Sequence, residues 1–168
     1  LRSAFEDVAV TVSRNILVKY EIKCPDCNQM AVIKYLVWAN KNINESNPEI
    51  AQIECRQCGK IYRKLSAVEV RRQLELSQMS PRFWFPKNRI HSTRKPPVEH
   101  HYELFTGRNL SMLAELLHAI KQVSSQNTRD ALFYIFTAML YSCSSMQMFS
   151  EKERSSSRGW TALRFYIP

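Results

Sequence analysis

Glycine is scarce in this 168-residue chain: Gly59, Gly107 and Gly159 are the whole supply, and each stands alone. No GxGxxG and no GxxxxGKS/T can be drawn from them, which excludes a self-contained nucleotide or dinucleotide fold, because such folds need glycines where the backbone wraps a phosphate. Long apolar runs are missing too. No stretch approaches the roughly 18 residues of a membrane span, and no basic segment leads into a short apolar one as in a secretion signal. Without an initiator Met, and with an end at Ile167-Pro168, the chain reads as a piece cut from a longer protein. No nucleophile beside an acid/base pair stands out, so an enzyme complete in itself is not expected.

Acidic residues are missing where basic ones are densest. Residues 56–95 hold eleven cations (Arg56, Lys60, Arg63, Lys64, Arg71, Arg72, Arg82, Lys87, Arg89, Arg94 and Lys95) against Glu69 and Glu75 alone. The rest of the chain carries 13 basic and 13 acidic residues, so this one segment accounts for the formal charge of +9. Tyr62, Phe83, Trp84 and Phe85 lie within it, and a basic, aromatic stretch of this kind points to a polyanionic partner.

With 45% apolar residues there is enough material for a globular core. Leu1, Phe5, Val8, Val12 and Ile16 recur at helical spacing and predict an amphipathic helix. Extended runs follow at Val18–Lys23, Met30–Trp38, Ile50–Glu54 and Ile61–Leu65, with a polar turn region over Asn40–Pro48. Ser66 with Glu69 three residues on forms the signature of a capping box, opening a short helix through Ser77 that leaves Arg71 and Arg72 exposed. Pro81, Pro86, Pro96 and Pro97 then deny regular structure up to Tyr102. Leu110, Leu113, Leu116, Leu117 and Ile120 mark one face of a helix capped by Thr106 or Asn109. Ala131–Tyr141, apolar nearly all round, predicts a second helix buried on most sides and paired with the first. Ser142–Gly159 reads as a mobile Ser-rich loop and Trp160–Ile167 as a closing strand. The expected class is α+β: a leading helix (1–19), a β-rich ribbon (20–66), a short helix and basic Pro/aromatic loop (67–105), and a helical hairpin with its loop and strand (106–168).

Four of the five cysteines form two C-x2-C pairs, Cys24/Cys27 and Cys55/Cys58, each between extended runs. Two such knuckles complete a tetrahedral thiolate site for zinc, with Zn–S of about 2.3 Å, and Gly59 supplies the backbone conformation that the second turn needs. Disulfides would require an oxidising compartment and leave Cys143 odd; a redox centre would use one pair, not two; iron would suit the same four ligands. Structural zinc is the expectation, in a closed site that organises the fold and has no open position for chemistry. His91, His100 and His101 show no spacing for a second metal, and Cys143 reads as packing.

The string Ile90-His91-Ser92-Thr93-Arg94-Lys95-Pro96-Pro97-Val98-Glu99-His100-His101-Tyr102-Glu103-Leu104-Phe105-Thr106-Gly107-Arg108-Asn109-Leu110 resembles a stretch of large bacterial adenine-specific (N6/N4 amino) DNA methyltransferases that contain a zinc ribbon, in which a Leu-Phe-Thr-x-Arg-Asn-Leu element opens a Leu-rich helix. The upstream ribbon, the apolar helix, Gly159-Trp160 and the Tyr-Ile-Pro ending agree, so the resemblance runs from about Tyr20 to Pro168. It implies a bacterial, cytoplasmic parent that moves a methyl group from S-adenosylmethionine to adenine N6, with cytosine N4 as the alternative. The parent's Gly-rich cofactor loop and its Asn/Asp-Pro-Pro-Tyr/Phe element are absent here, so the catalytic domain would be elsewhere in the same parent chain. This segment would then engage double-stranded DNA for target recognition or clamping, through Arg82, Trp84, Lys87, Arg89, Arg94, Lys95 and Arg108. Two readings of single residues stay open: the aromatics either meet DNA or anchor their loop, and Arg108 either reaches a phosphate or pairs with Glu103 or Glu115. The rival function is a zinc-ribbon interaction module whose charge serves solubility.

Overall fold

The computed structural model describes residues 16, 18–38, 47–90, 98–144, 148–150 and 155–157. Two compact units divide the chain, Leu1–Met79 and Ser80–Pro168. The basic segment is therefore shared between two bodies, and the helix after the ribbon belongs with the ribbon.

The first unit is a four-stranded antiparallel sheet in the order β1 (Glu21–Lys23), β2 (Met30–Trp38), β3 (Pro48–Cys55), β4 (Gly59–Lys64). Alternation along the strands sends Ile22, Ala31, Ile33, Ala51, Ile53 and Cys55 to one face, where with Cys24 and Leu65 they form the core. A register shift between Ile33 and Tyr35 keeps Leu36 on that face. The extended run expected from Val18 starts later: Val18–Tyr20 are helical, and the ladder opens at Glu21 opposite Val32. Val18 is exposed and has no place in that ladder, so its β-branched preference goes unused. Residues 1–15, the bulk of the expected leading helix, lie outside the described residues, as do 39–46 of the expected turn; Pro48 is already in β3.

Helix α1 (Ala67–Ser77) covers the core face with Val70 and the buried Gln73. Its capping box is as expected: Ser66 Oγ accepts from the Glu69 amide at 3.4 Å, and Glu69 Oε2 accepts from the Ser66 amide at 2.8 Å. Glu69 also takes both Arg63 terminal nitrogens, one of them at 3.0 Å. Burial pushes the Glu69 carboxyl up, but Arg63 and the Ser66 donors outweigh it and hold it below the ordinary carboxylate range. A lowered folded-state pKa stabilises above the unfolded value and ceases to do so as pH falls through the folded one. Glu69→Ala is expected to cost about 1–3 kcal/mol in urea denaturation of the zinc-loaded protein near neutral pH, through the lost cap and the stranded guanidinium. The difference from wild type should shrink at acid pH; a pH-independent difference would count against the ion pair.

In the second unit a 3₁₀ turn (His101–Leu104) leads into α2 (Gly107–Lys121), and α3 (Gln126–Cys143) folds back on it. Thr106, one of the two expected caps, accepts from the Asn109 amide at 3.3 Å, while Asn109 Nδ2 donates to the Cys143 carbonyl at 2.7 Å and ties the helix ends together. Leu113, Leu117, Ile120, Leu132 and Phe136 form the core between them. The expectation that α3 is buried on most sides is corrected: only one stripe is covered, leaving Phe133, Ile135 and the 77% exposed Tyr134 outside. The reason is that among the described residues α3 packs on one helix, α2, and a helix on one neighbour buries one face whatever the rest of it carries. The Ser-rich stretch is not all loop either. Helix α3 runs on to Cys143, and β5 (Met148–Ser150) pairs antiparallel with β6 (Ser155–Ser157). The expected closing strand at 160–167 lies outside the described residues.

Candidate metal centre and nucleic-acid interface

Both C-x2-C pairs sit at hairpin tips, Cys24/Cys27 between β1 and β2 and Cys55/Cys58 between β3 and β4. Because β2 and β3 are antiparallel with Val32 opposite Glu54, the start of one strand lies beside the end of the other, and both tips fall at one end of the sheet. The four sulfurs lie within 4.8 Å of one another, and Cys27 Sγ is 3.5 Å from Cys55 Sγ. A tetrahedron with Zn–S of about 2.3 Å has edges of about 3.8 Å, so the cluster fits a single zinc ion with little adjustment.

The residue after each knuckle adopts the left-handed conformation, Asn28 at φ 61° and Gly59 at φ 76°. Gly59 was expected from the sequence; Asn28 was missed, although Asn is the side chain that tolerates this region best after Gly. The Asn28 amide donates to the Cys24 carbonyl at 2.9 Å, and the Cys24 amide to the Gln29 carbonyl at 2.8 Å, which holds the first turn shut. A Cβ at Gly59 would meet nothing within 4 Å, so the demand there is conformational and not one of space. Gly59→Ala is expected to lower the melting temperature at a cost of about 1 kcal/mol, the ordinary price of left-handed backbone; an unchanged melt would show that the turn relaxes.

The thiols differ in acidity before any metal binds. The Cys58 and Gln57 amides aim at Cys55 Sγ and bring its pKa down to about 7, whereas the Cys27 sulfur and burial push Cys58 up to about 12. Metal binding must displace protons from such a set, so it weakens as pH falls. Cys24 and Cys55 are also core residues, which couples the cluster to packing. Cys143 lies in the other unit, and burial raises its thiol.

In the second unit the basic aromatic loop sorts its side chains by alternation. Phe83 stacks on His118 with centroids 4.1 Å apart and planes 10° off parallel, and Phe85 meets Tyr102 edge-on at 5.6 Å. Between them Trp84 is 65% exposed, with Arg82, Lys87 and Arg89 exposed around it. The open question about the aromatics divides: Phe83 and Phe85 anchor the loop, and Trp84 faces outward. Lys121 Nζ lies 4.7 Å from the Trp84 centroid, while Arg82 and Lys87 each stand 5.5 Å from the Phe83 and Phe85 rings. Lys121 and His118 were missed because they lie outside the basic segment; their spacing of three in the last turn of α2 was the available signal.

An isolated bridge between Arg89 and His100, with the Ile90 amide donating to the Glu99 carbonyl at 2.8 Å, joins the segments flanking residues 91–97. Arg94 and Lys95 lie in that range, outside the described residues. His100 Nδ1 donates to Glu103 Oε1 at 3.3 Å. Arg108, in the first turn of α2, is 7% exposed, unlike the open cations of the loop. In the ribbon unit Arg63 is committed to Glu69 and Arg71 pairs with Glu75, while Arg56, Lys60 and Lys64 remain exposed.

No helix among the described residues is long and apolar enough to cross a membrane. Comparison of the chain with protein-family models, with curated proteins and with solved structures finds no match.

Proposed function

We propose that this chain is the DNA-engaging segment of a larger S-adenosylmethionine-dependent DNA methyltransferase, with one structural zinc organising its first unit. The observation that carries the DNA reading is Trp84, an exposed indole on an anchored loop, with Lys121 beside its ring and Arg82, Lys87 and Arg89 exposed in the same loop. Exposed cations on such a loop suit phosphates, and the indole can stack on a base or wedge between base steps. The methyltransferase reading draws on the resemblance of residues 90–110. The parent's methyl transfer would be to adenine N6 or cytosine N4.

S-adenosylmethionine, when bound by the parent, supplies the methyl group. Nothing in this chain fits that cofactor: its three glycines are isolated, and its one Pro-Pro pair lies between Lys95 and Val98. This chain's residues are assigned the tasks of binding and orienting the duplex alone. A second reading, a module that holds a neighbouring domain of the parent, is favoured by the exposed large side chains Phe133, Tyr134 and Ile135 of α3.

Fluorescence anisotropy with a labelled duplex over a series of salt concentrations tests the proposal. Four phosphate contacts predict a log-log slope of about −3.6. Binding that is absent at low salt, or indifferent to salt, would overturn the DNA role and leave the module reading.

A further inference from the structure

The ribbon sheet has a second face that the zinc site and the core do not use. Opposite the core, Tyr35 on β2, Gln52 on β3 and Tyr62 on β4 lie in one cross-strand row, set by the pairings Tyr35 with Gln52 and Gln52 with Tyr62. The two hydroxyls meet at 2.7 Å above β3, the rings standing edge to face with centroids 6.1 Å apart, and the Gln52 amide donates to the Tyr62 hydroxyl. Gln52 is buried although it is on the outer face, because the tyrosines close over it. Both rings themselves remain half-buried.

Around this row the face carries three lysines, Lys34, Lys60 and Lys64, and one carboxylate, Glu54, which pairs with Lys34 at 2.5 Å and lies across from Lys60. Lys60 and Lys64 flank Tyr62 at two residues on either side, so they share its face, and both are exposed. At about 3.4 Å per residue they stand about 14 Å apart along β4, the length of several stacked nucleotides at about 3.4 Å each. Lysines on an edge strand also serve to discourage sheet-to-sheet pairing, and β4 is an edge. That role needs no aromatic row. Two tyrosines locked hydroxyl to hydroxyl, with their planes 63° apart, hold a ring face between the lysines in a position that costs no further ordering on binding.

We infer that the outer face of the ribbon sheet, built on Tyr35, Tyr62, Lys60 and Lys64, is a platform for a single-stranded nucleic-acid segment. Bases stack against the tyrosine rings, and the lysines take the phosphates on either side. A duplex suits this face less well, since its bases present no free ring surface to a flat sheet. The inference stands apart from the proposed function, which rests on the other unit and on duplex DNA.

The test is anisotropy of the zinc-loaded 168-residue protein with labelled oligothymidylate, beside a duplex of equal length. Tyr62→Ala is expected to weaken oligothymidylate binding about 5- to 150-fold, the effect of one lost stacking partner. Lys60→Ala with Lys64→Ala should flatten the single-strand salt slope by about 1.4, at 0.7 per contact. Tyr62→Phe, which keeps the ring, should bind nearly as wild type and guards against reading a folding defect as lost contact; the lysine pair, fully on the surface, does the same. Trp84→Ala should weaken the duplex, and the loss of oligothymidylate affinity on Tyr62→Ala should persist in the Trp84→Ala background. Oligothymidylate affinity and slope unaltered by the lysine pair, or no single-strand binding at low salt, would overturn the inference, and duplex binding through the Trp84 loop would survive either result.

Discussion

Replacing Cys24 or Cys55 by Ser is expected to abolish the fold of the ribbon unit while the helical hairpin persists. A unit this small buries too little apolar surface to stand with a wide margin, and domains of its size commonly depend on a metal. Structural zinc supplies about 10–16 kcal/mol in small modules, more than the whole stability of a typical domain, and removing one of four thiolates forfeits most of it. The effect is compounded here because both cysteines are core members beside Ile22, Ala31, Ile33 and Ile53, so an undone cluster opens the interior at one end. Metal analysis of the purified protein should find one zinc per chain, and chelator should collapse the tertiary signal of the ribbon's tyrosines. Zinc retention should weaken as pH falls, since protons compete for the sulfurs. Cys143→Ser is the control: half-buried and in the other unit, it should leave zinc content unchanged. A metal-free protein whose melt ignores chelator would remove zinc from the account.

The second large effect concerns duplex affinity. With Arg82, Lys87 and Arg89 all changed to Ala, binding should fall roughly 10²–10³-fold at 0.1 M salt, because each phosphate contact contributes about 0.9 of a log unit between 0.1 M and 1 M. The salt slope should flatten by about 2.7, and the melt should hardly move, since all three side chains are exposed on a loop without ladder bonds of their own beyond the Arg89 bridge. Trp84→Ala and Phe83→Ala make a matched pair. The exposed indole should give up affinity, by about 5- to 150-fold for a lost stack, at unchanged stability. Phe83, stacked on His118, should give up stability first. A triple variant with the parent's affinity and slope would make the loop a solvated surface and nothing more.

The parts of this molecule that were legible in the residues alone are those governed by rules of short range. Two C-x2-C pairs between extended runs announced a four-thiolate site, since the ligand geometry is local to each knuckle and only one arrangement satisfies four thiolates. Ser66 and Glu69 announced a helix start because both partners of a capping box lie within one turn. Gly59 announced its left-handed turn on the same ground, and the cap of α2 was narrowed to Thr106 or Asn109, of which Thr106 takes the role.

What tertiary structure alone decided depends on partners far apart in sequence. The apolar circumference of α3 gave no sign that a single neighbour would leave Phe133 to Ile135 uncovered. Nor could charge counting show that Arg63 would be spent on Glu69, that Arg108 would be buried, or that the basic segment would be split between two units. Lys121 reaches Trp84 from 37 positions away, and Tyr35 reaches Tyr62 across an intervening strand. Residue type and spacing determine which groups are available and what each turn of chain can do with its nearest neighbours. Which of those groups finish buried, paired or facing a partner is determined by strand register and helix packing, because burial and ion pairing are properties of the assembled surface and not of the segment that carries the residue.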